Sequence, residues 1–188
     1  MRKRKNVTRP ILELSVTKTW GNRTLDVQSP AWKRLRLKVL ERKRYRCRFC
    51  GFRAYKWMVV DHINGKANDN RPSNLGANCQ MCDTVRHCGR AGQDGFLTLM
   101  KSSMSQLKII RRTRAWVKAR GKAPRPVDID PRAKPVKGMN VITYANGLMF
   151  WELDGKPPGF GAYRGFFTRY FKLWQLDWEL KGRARPPE

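Results

Sequence analysis

The sequence has 188 residues, which is enough for one domain with a hydrophobic core and too few for two large domains. Its 41 Lys and Arg outnumber 14 Asp and Glu, and the resulting formal net charge of +27 predicts a polyanionic partner. Nucleic acid is the partner favoured, DNA rather than RNA, while an acidic protein and an anionic membrane surface are the alternatives.

Hydropathy argues against a secreted or membrane-inserted protein. Residues 1–20 begin with basic side chains but contain neither a continuous apolar stretch nor a small-residue cleavage site. No stretch reaches the apolar length that crosses a bilayer, so we expect a cytoplasmic protein without membrane insertion. Four of the five cysteines form two Cys-x-x-Cys pairs, a pattern typical of intracellular metal binding rather than of a disulfide scaffold.

The first elements predicted along the chain are a basic arm, a strand and a helix. Residues 1–10 form the arm, and residues 11–20, rich in β-branched side chains, predict a strand. Ser29 can cap a helix that begins at Pro30 and has a strongly basic outer face. Apolar side chains recur in it at helical spacing, at Trp32, Leu35, Val39 and Leu40.

A strand and a long helix are predicted between Gly95 and Gly121. The FLTLM run predicts the strand, and a capping box from Ser103 to Gln106 predicts a helix that reaches about residue 119. The basic side chains of this helix either lie along a phosphate backbone or form a solvated face. The candidate nucleic-acid contacts are Lys108, Arg111, Arg112, Arg114 and Lys118.

Three elements are predicted in the C-terminal part. Residues 121–138, rich in Pro and Lys, predict an extended linker. Asn146-Gly147 between two apolar runs predicts a β-hairpin. Residues 163–181 predict an amphipathic helix that packs on the hairpin, binds a protein partner or stacks on bases. Its aromatic face comprises Tyr163, Phe167, Tyr170, Trp174 and Trp178.

The two Cys-x-x-Cys pairs predict a structural metal site. Four thiolates match the closed tetrahedral coordination of structural Zn²⁺, and Gly51 supplies the tight turn after the first pair. A pair of redox dithiols is the alternative, which the non-thioredoxin context disfavours. Cys88 is left over and is expected to be a small buried hydrophobe. The predicted zinc ligands are Cys47, Cys50, Cys79 and Cys82.

A second cluster of polar residues lies between and after these pairs. Asp61 closes a short apolar strand, while Asp83 and His87 are four residues apart on one face of a short helix expected from about Asn78 to Gly89. These three side chains can converge on a hard divalent ion, Mg²⁺ or Mn²⁺. His62, on the other side of the strand, can then act as general base.

The block from Cys47 to Asp83, with CRFC, VVDHI, SNL and CQMCD, resembles the HNH endonuclease superfamily. The resemblance implies a treble-clef ββα-metal core that hydrolyses DNA phosphodiester bonds. It also implies Asp61 and Asp83 as metal ligands, His62 as general base and Asn74 as the residue that orders the loop. HNH enzymes usually have His or Asn at the position of Asp83.

A wider stretch, from about Leu12 to Lys122, resembles the IcmJ (DotN) family of zinc-bearing HNH-like subunits in type IV secretion coupling complexes. The motifs that carry this resemblance are RYRCRFCGFRA, NDNRPSNL and GQDGFLTL. It implies a catalytically inactive scaffold, because the HNH core of that family looks degenerate. The sequence therefore leaves two functions open, an endonuclease and a scaffold subunit, and the retained Asp61-His62 pair favours the endonuclease slightly.

Together these features predict an α+β protein. A zinc-stapled ββα core spans residues 29–92 and is flanked by basic helices, a C-terminal hairpin and the aromatic helix. The predicted division is a basic arm at residues 1–10, a zinc-binding domain at 11–120, a linker at 121–138 and an extension at 139–188.

Overall fold

The computed structural model describes residues 9–16, 23–154 and 160–171. Helices and small antiparallel sheets combine within these residues, so the predicted α+β class is confirmed. None of the helices in the described ranges is long and apolar enough to cross a membrane. The first half contains helix α1 (Pro30–Arg42), strands β1 (Val59–His62) and β2 (Leu75–Asn78), and helices α2 (Gln80–Arg86) and α3 (Cys88–Gln93).

Helix α1 begins as the sequence predicts. Ser29 Oγ accepts a hydrogen bond from the Trp32 backbone N–H at 3.2 Å, and Pro30 occupies the first turn. Val39 and Leu40 are buried in the main core, where the hydrophobic effect holds the helix against β1 and β2. The basic side chains on the opposite side of α1 are left exposed to solvent.

Strands β1 and β2 form an antiparallel pair in which Val59 faces Asn78 and His62 faces Leu75. Helix α2 follows β2 almost at once, which is the strand-strand-helix order that the HNH resemblance implies. The helix predicted to end near Gly89 instead breaks at His87, whose φ of −113° and ψ of 49° are not helical. Gly89 lies inside α3.

The strand predicted over residues 11–20 is not formed within residues 9–16. The segment is extended, with Leu12 and Leu14 buried in alternation. Ser15 exchanges backbone hydrogen bonds with Val85 and Cys88 at the junction of α2 and α3, so the segment pairs with a helix junction rather than with a strand. Residues 17–20 lie outside the described residues.

The second half is built around strand β3 (Leu97–Lys101), which pairs antiparallel with a strand on each side. Both β3 and the long helix after it were predicted. The residue that caps the helix is Ser105 rather than the predicted Ser103, since Ser105 Oγ accepts a hydrogen bond from the Lys108 N–H at 3.3 Å. The remaining elements are α4 (Gln106–Arg120), α5 (Pro126–Ile129), β4 (Lys134–Pro135), α6 (Val141–Asp154) and β5 (Tyr163–Phe167).

The segment predicted as an extended linker, residues 121–138, contains α5 and β4. Ile129 is buried with Ile109 and Phe166 in a small second core. Asp130, 3% exposed, accepts a hydrogen bond from Ser102 Oγ. These two buried side chains attach the segment to α4 and β3 even though its Pro-rich and Lys-rich composition indicates little to bury.

The hairpin predicted around Asn146-Gly147 is wrong, because this stretch forms α6. Asn140 Oδ1 accepts from the Thr143 N–H at 2.9 Å and closes the first turn. Helix α6 packs closely on α3, and a Cβ at Gly89 would lie only 3.3 Å from Ala145 Cβ. The buried side chains follow helical spacing, at Val141, Tyr144, Ala145 and Leu148.

The aromatic helix predicted over residues 163–181 is also wrong where it is described, since residues 163–167 form β5. Neighbouring side chains of a strand point to opposite faces, and both faces of this sheet are covered. Phe166 therefore enters the second core while Phe167 enters the main core. The rest of the predicted helix, with Trp174 and Trp178, lies outside the described residues.

Gln106 holds β5 against α4 through a pair of hydrogen bonds. Its Nε2 donates to Gly165 O at 2.7 Å, and its Oε1 accepts from the Gly165 N–H at 2.9 Å. We expect Gln106→Met to lower the free energy of unfolding by about 2–3 kcal/mol, because two buried backbone groups lose their partners. Urea unfolding measures this, with the exposed Lys108→Met as control, and a loss equal to the control would contradict it.

Candidate metal centre and adjacent acidic cavity

The four predicted cysteine ligands form one cluster. Their sulfur atoms all lie within 4.8 Å of one another, and Cys50 Sγ is 3.6 Å from Cys79 Sγ. Tetrahedral Zn²⁺ with Zn–S bonds of about 2.3 Å separates its sulfurs by about 3.8 Å, so the observed spacing fits such an ion. Cys47, Cys79 and Cys82 are fully buried. The arrangement is that of a structural site with no open position.

Backbone turns hold each pair in place. Gly51 has a φ of +75°, a conformation that favours glycine, and its N–H donates to Cys47 O at 2.9 Å. The second pair stands at the start of α2, where the Asp83 N–H donates to Cys79 O. The turn predicted at Gly51 is therefore present. Cys88 is buried outside the cluster, and burial raises the pKa of its thiol to about 12.

The electrostatics of the cluster favour binding of a cation. Hydrogen bonds from the neighbouring thiols, Cys50 first, lower the pKa of Cys47. Burial raises the pKa of Cys79, because the low dielectric of the interior disfavours its thiolate. A divalent ion bound to the four sulfurs would favour their thiolate forms, so its binding should release protons.

The structure also brings together the three side chains predicted to hold a divalent ion. One oxygen of Asp61, one oxygen of Asp83 and one ring nitrogen of His87 lie within 4.8 Å of one another. His87 Nε2 is 3.8 Å from Asp61 Oδ1 and 3.7 Å from Asp83 Oδ1. Asp83 Oδ1 is buried and accepts no hydrogen bond from the described residues, so a cation would satisfy it. These donors fit Mg²⁺ or Mn²⁺.

Burial changes the protonation of this cluster. Desolvation, assisted by the charge of Asp61, raises the pKa of Asp83 to about 7. Desolvation lowers the pKa of His87, which favours the neutral imidazole at neutral pH. In the absence of an ion, Asp83 therefore holds a proton over part of the physiological pH range.

Arg86, a residue that the sequence did not single out, pairs with Asp61. Arg86 Nε lies 2.7 Å from Asp61 Oδ2, and Asn78 Nδ2 donates to the same oxygen at 3.2 Å. Asp61 is 8% exposed, so the pair is largely shielded from water. The guanidinium thus offsets the carboxylate charge at Oδ2, while Oδ1 faces His87. In a chain with 41 basic residues, no sequence signal distinguishes Arg86 from the rest.

His62 lines a cavity beside these residues, whereas Asn74 lies in the loop after β1. His62 Nε2 is hydrogen-bonded to Asn70 Oδ1 at 3.0 Å, and its ring stacks with Trp32 at a centroid distance of 6.0 Å. Asn74 does not line the cavity. It orders the loop after β1, where its Oδ1 accepts from the Asn64 N–H at 3.0 Å and its Nδ2 donates to Asp69 O at 2.8 Å.

A cavity of about 370 Å³ opens beside these residues. Its wall includes Asp61, His62, Asp83 and His87, so the candidate ion ligands and the candidate base face one space. Arg23 and Arg36 add positive charge to the wall, which suits an anionic ligand, whereas the charge of Arg90 is offset by its ion pair with Asp94.

Comparison with known proteins adds one relative. No family model matches the sequence. The chain is similar to the type 4 apparatus protein DotN of Legionella pneumophila, at 31% identity over 75 residues. The matched part is 38% of this chain and 35% of DotN, so the chain spans about a third of the length of that relative.

The basic side chains of α4 do not share one environment. Arg114, predicted as a nucleic-acid contact, is instead 8% exposed and donates from Nη2 to Cys79 Sγ at 3.0 Å. Its helical position points toward the core, between the buried Ile110 and Val117. Arg112 donates to Ile129 O at 2.7 Å, although the residue is exposed overall. The other predicted contacts are exposed, namely Lys108, Arg111 and Lys118.

The raised pKa of Asp83 predicts a pH-dependent affinity for Mn²⁺. The ion binds the carboxylate, and below about pH 7 it must displace a proton. We therefore expect the Mn²⁺ affinity of the zinc-loaded protein to rise about tenfold per pH unit up to about pH 7 and then to level off. Isothermal titration calorimetry at several pH values measures it. Asp83→Asn should bind weakly without this slope, and a flat wild-type profile would contradict the prediction.

Proposed function

We propose that this chain is a zinc-braced, HNH-like subunit that acts mainly by binding, as a component of a type 4 secretion or conjugation assembly. The similarity to DotN carries this proposal. The four clustered cysteines support a zinc-stapled scaffold, and the basic surface supports an acidic protein as the partner within the assembly. The cytoplasmic side of such an assembly is the proposed location.

The ion pair in the cavity supports binding over phosphodiester cleavage. A catalytic ion needs the negative charge of Asp61, and the Arg86 guanidinium at 2.7 Å already offsets it. Binding a cation beside this pair costs electrostatic energy, because Arg86 repels it. The pair thus stabilises the fold around β1 without requiring an ion in the cavity.

Purification from the organism that encodes the chain tests the proposal. A tagged chain should bring down other subunits of a type 4 apparatus in fixed stoichiometry, and the complex should survive nuclease treatment. Cys82→Ala, which removes one zinc ligand, should lose these partners, while Cys88→Ala should keep them. Recovery of the chain without apparatus subunits, or a complex that nuclease dissolves, would contradict the proposal.

A second candidate function is a metal-dependent phosphodiesterase, as the HNH resemblance implies. The observation that favours it is the convergence of Asp61, Asp83 and His87 in a cavity that also contains His62. These three side chains would hold Mg²⁺ or Mn²⁺. The ion would stabilise negative charge on the phosphate and on the leaving 3′ oxygen.

The residues around the cavity suit hydrolysis of a phosphodiester. Asn70 Oδ1 can only accept, so the hydrogen bond places the proton of neutral His62 on Nε2 and leaves the lone pair on Nδ1. Nδ1 would take a proton from water as the water oxygen bonds to phosphorus and the P–O3′ bond breaks. Arg23 and Arg36 of the wall would bind the phosphate oxygens.

A plasmid-nicking assay decides between the two functions. If the chain is a phosphodiesterase, the zinc-loaded wild type with Mn²⁺ nicks DNA at least about a hundredfold faster than His62→Ala, the size expected for loss of a general base. If the wild type is no more active than His62→Ala, the chain is not an HNH-type nuclease. Asn74→Ala is unsuitable as a control because it removes the side-chain hydrogen bonds that order the loop after β1.

Three exposed basic residues of α4 are the proposed nucleic-acid contacts. If each neutralises one DNA phosphate, replacing all three by Gln should reduce the slope of log affinity against log salt by about 3. Fluorescence anisotropy with duplex DNA at several salt concentrations measures the slope. The residues are Lys108, Arg111 and Lys118.

A matched control removes the same charge elsewhere. Arg71, Arg90 and Arg125 each pair with a nearby Asp, so their replacement by Gln should leave the slope nearly unchanged. Equal reductions in the two triple variants would mean that net charge alone drives binding and that α4 is not the contact surface.

A further inference from the structure

Arg114 is a buried cation in direct contact with the cysteine cluster. It is 8% exposed, and Nη2 lies 3.0 Å from Cys79 Sγ. Its guanidinium carbon lies 3.7 Å from the centre of the Phe52 ring. Arginine remains protonated in proteins, so this position holds a permanent positive charge away from water. A buried charge of this kind is stabilised by an opposite charge close to it.

A zinc ion bound by four thiolates would place negative charge directly beside Arg114 Nη2. Zn²⁺ with four Cys thiolates has a formal charge of about −2, so the loaded cluster is an anion inside the protein. A hydrogen bond from a guanidinium to a thiolate is charge-assisted and is stronger than a bond to a neutral thiol. Arg114 therefore gains a stronger partner when the four cysteines hold zinc.

We propose that Arg114 is the counter-charge of the zinc–thiolate cluster and that it couples zinc binding to the docking of α4. The residue contacts one cysteine of the second pair and an aromatic ring next to the first pair. It bonds to Cys79 of the second pair and stacks on Phe52, which follows Cys50 and Gly51 of the first. Since it belongs to α4, the same side chain ties that helix to the cluster. The proposal rests on zinc occupancy and is independent of both candidate functions.

Two consequences follow for the metal. The hydrogen bond draws electron density from Cys79 Sγ, so this sulfur should be a poorer nucleophile and should exchange zinc more slowly than an unbonded thiolate. Loss of the positive charge should also raise the energy of the loaded cluster more than that of the metal-free thiols. Arg114 should thus matter more to the zinc-bound protein than to the metal-free one.

Zinc transfer to a chromophoric chelator tests the proposal. The wild type is first shown to contain one zinc per chain, because failure at that step overturns the zinc assignment itself. Arg114→Gln should then lower zinc affinity and speed zinc loss by tenfold or more. Arg114→Lys, which keeps the charge but not the planar group, should have an intermediate effect. Arg111→Gln, exposed on the same helix, should stay within twofold of wild type.

Cobalt substitution gives a readout that a purely structural role would not change. Loss of an N–H···S bond raises the energy of the sulfur lone pairs, so the sulfur-to-cobalt charge-transfer band of Arg114→Gln should move to longer wavelength. The band of Arg111→Gln should not move. If Arg114→Gln does not fold, Arg114→Lys decides by the same two measurements. If the folded Arg114 variant loses zinc at a rate within twofold of wild type, or if its charge-transfer band does not shift, the proposal is overturned.

Discussion

Replacement of Cys82 by Ala is expected to unfold the region around the cysteine cluster, whereas replacement of Cys88 by Ala is not. Both side chains are fully buried, but only Cys82 belongs to the cluster. Structural zinc contributes on the order of 10 kcal/mol to folding, which is comparable to the whole stability of a typical domain. Loss of one ligand should remove most of this contribution. Cys88→Ala removes one buried sulfur and should cost only about 1–2 kcal/mol.

Zinc content and urea unfolding followed by circular dichroism measure both effects. Cys82→Ala should contain no tightly bound zinc and should lack a cooperative transition for the ββα region. A strong chelator should produce the same change in the wild type and in Cys88→Ala. If Cys82→Ala unfolds cooperatively within about 2 kcal/mol of Cys88→Ala, the cluster does not stabilise the fold through a metal.

Arg86→Ala is expected to lower the free energy of unfolding by about 3–5 kcal/mol, because it leaves the buried Asp61 carboxylate without its partner. Asp61→Asn in the same background should recover part of this loss, since the uncompensated charge is then absent. Arg90→Ala is the matched control. Arg90 lines the same cavity, but its ion pair with Asp94 is exposed, so the expected loss is below about 0.5 kcal/mol.

The same variant tests whether Arg86 and a divalent ion compete for Asp61. In zinc-loaded Arg86→Ala, Mn²⁺ can take over the role of the guanidinium, and at a hundred times its Kd it should restore about 2.7 kcal/mol. The wild type should respond less, because its carboxylate is already paired. If Arg86→Ala lowers the free energy of unfolding by less than about 1 kcal/mol, the Arg86–Asp61 pair does not stabilise the fold as expected. A missing response to Mn²⁺ would contradict the ion site and favour the scaffold function.

Several features that lie where the sequence placed them depend on short stretches of chain. Cys-x-x-Cys with a following Gly51 needs only a tight turn to bring two sulfurs together. Asp83 and His87 are four residues apart, and their side chains lie 3.7 Å from each other although α2 ends at Arg86. Ser29 and Pro30 likewise begin α1 through contacts within one turn. In each case the residues that determine the geometry are the ones that lie next to it in the chain.

The wrong predictions concern features that depend on distant residues. Asn146-Gly147 favours a hairpin locally, but burial of the adjacent apolar side chains against α3 makes a helix. Residues 163–167 have helical aromatic spacing, but β3 offers an open edge with which they pair. Local propensities are worth about 1 kcal/mol per residue or less, so burial of several large side chains overrides them.

The roles of Arg86 and Arg114 show the same limit at the site itself. From the sequence, the chain contains two cysteine pairs, an acidic cluster and a large excess of basic residues. Which two arginines leave the surface to pair with Asp61 and Cys79 depends on how β1, α2 and α4 pack together. A buried charge requires a partner close to it. Asp61 and Arg86 are 25 residues apart in the chain, and Cys79 and Arg114 are 35 residues apart. Each pair therefore becomes adjacent only when the tertiary fold brings its two segments together.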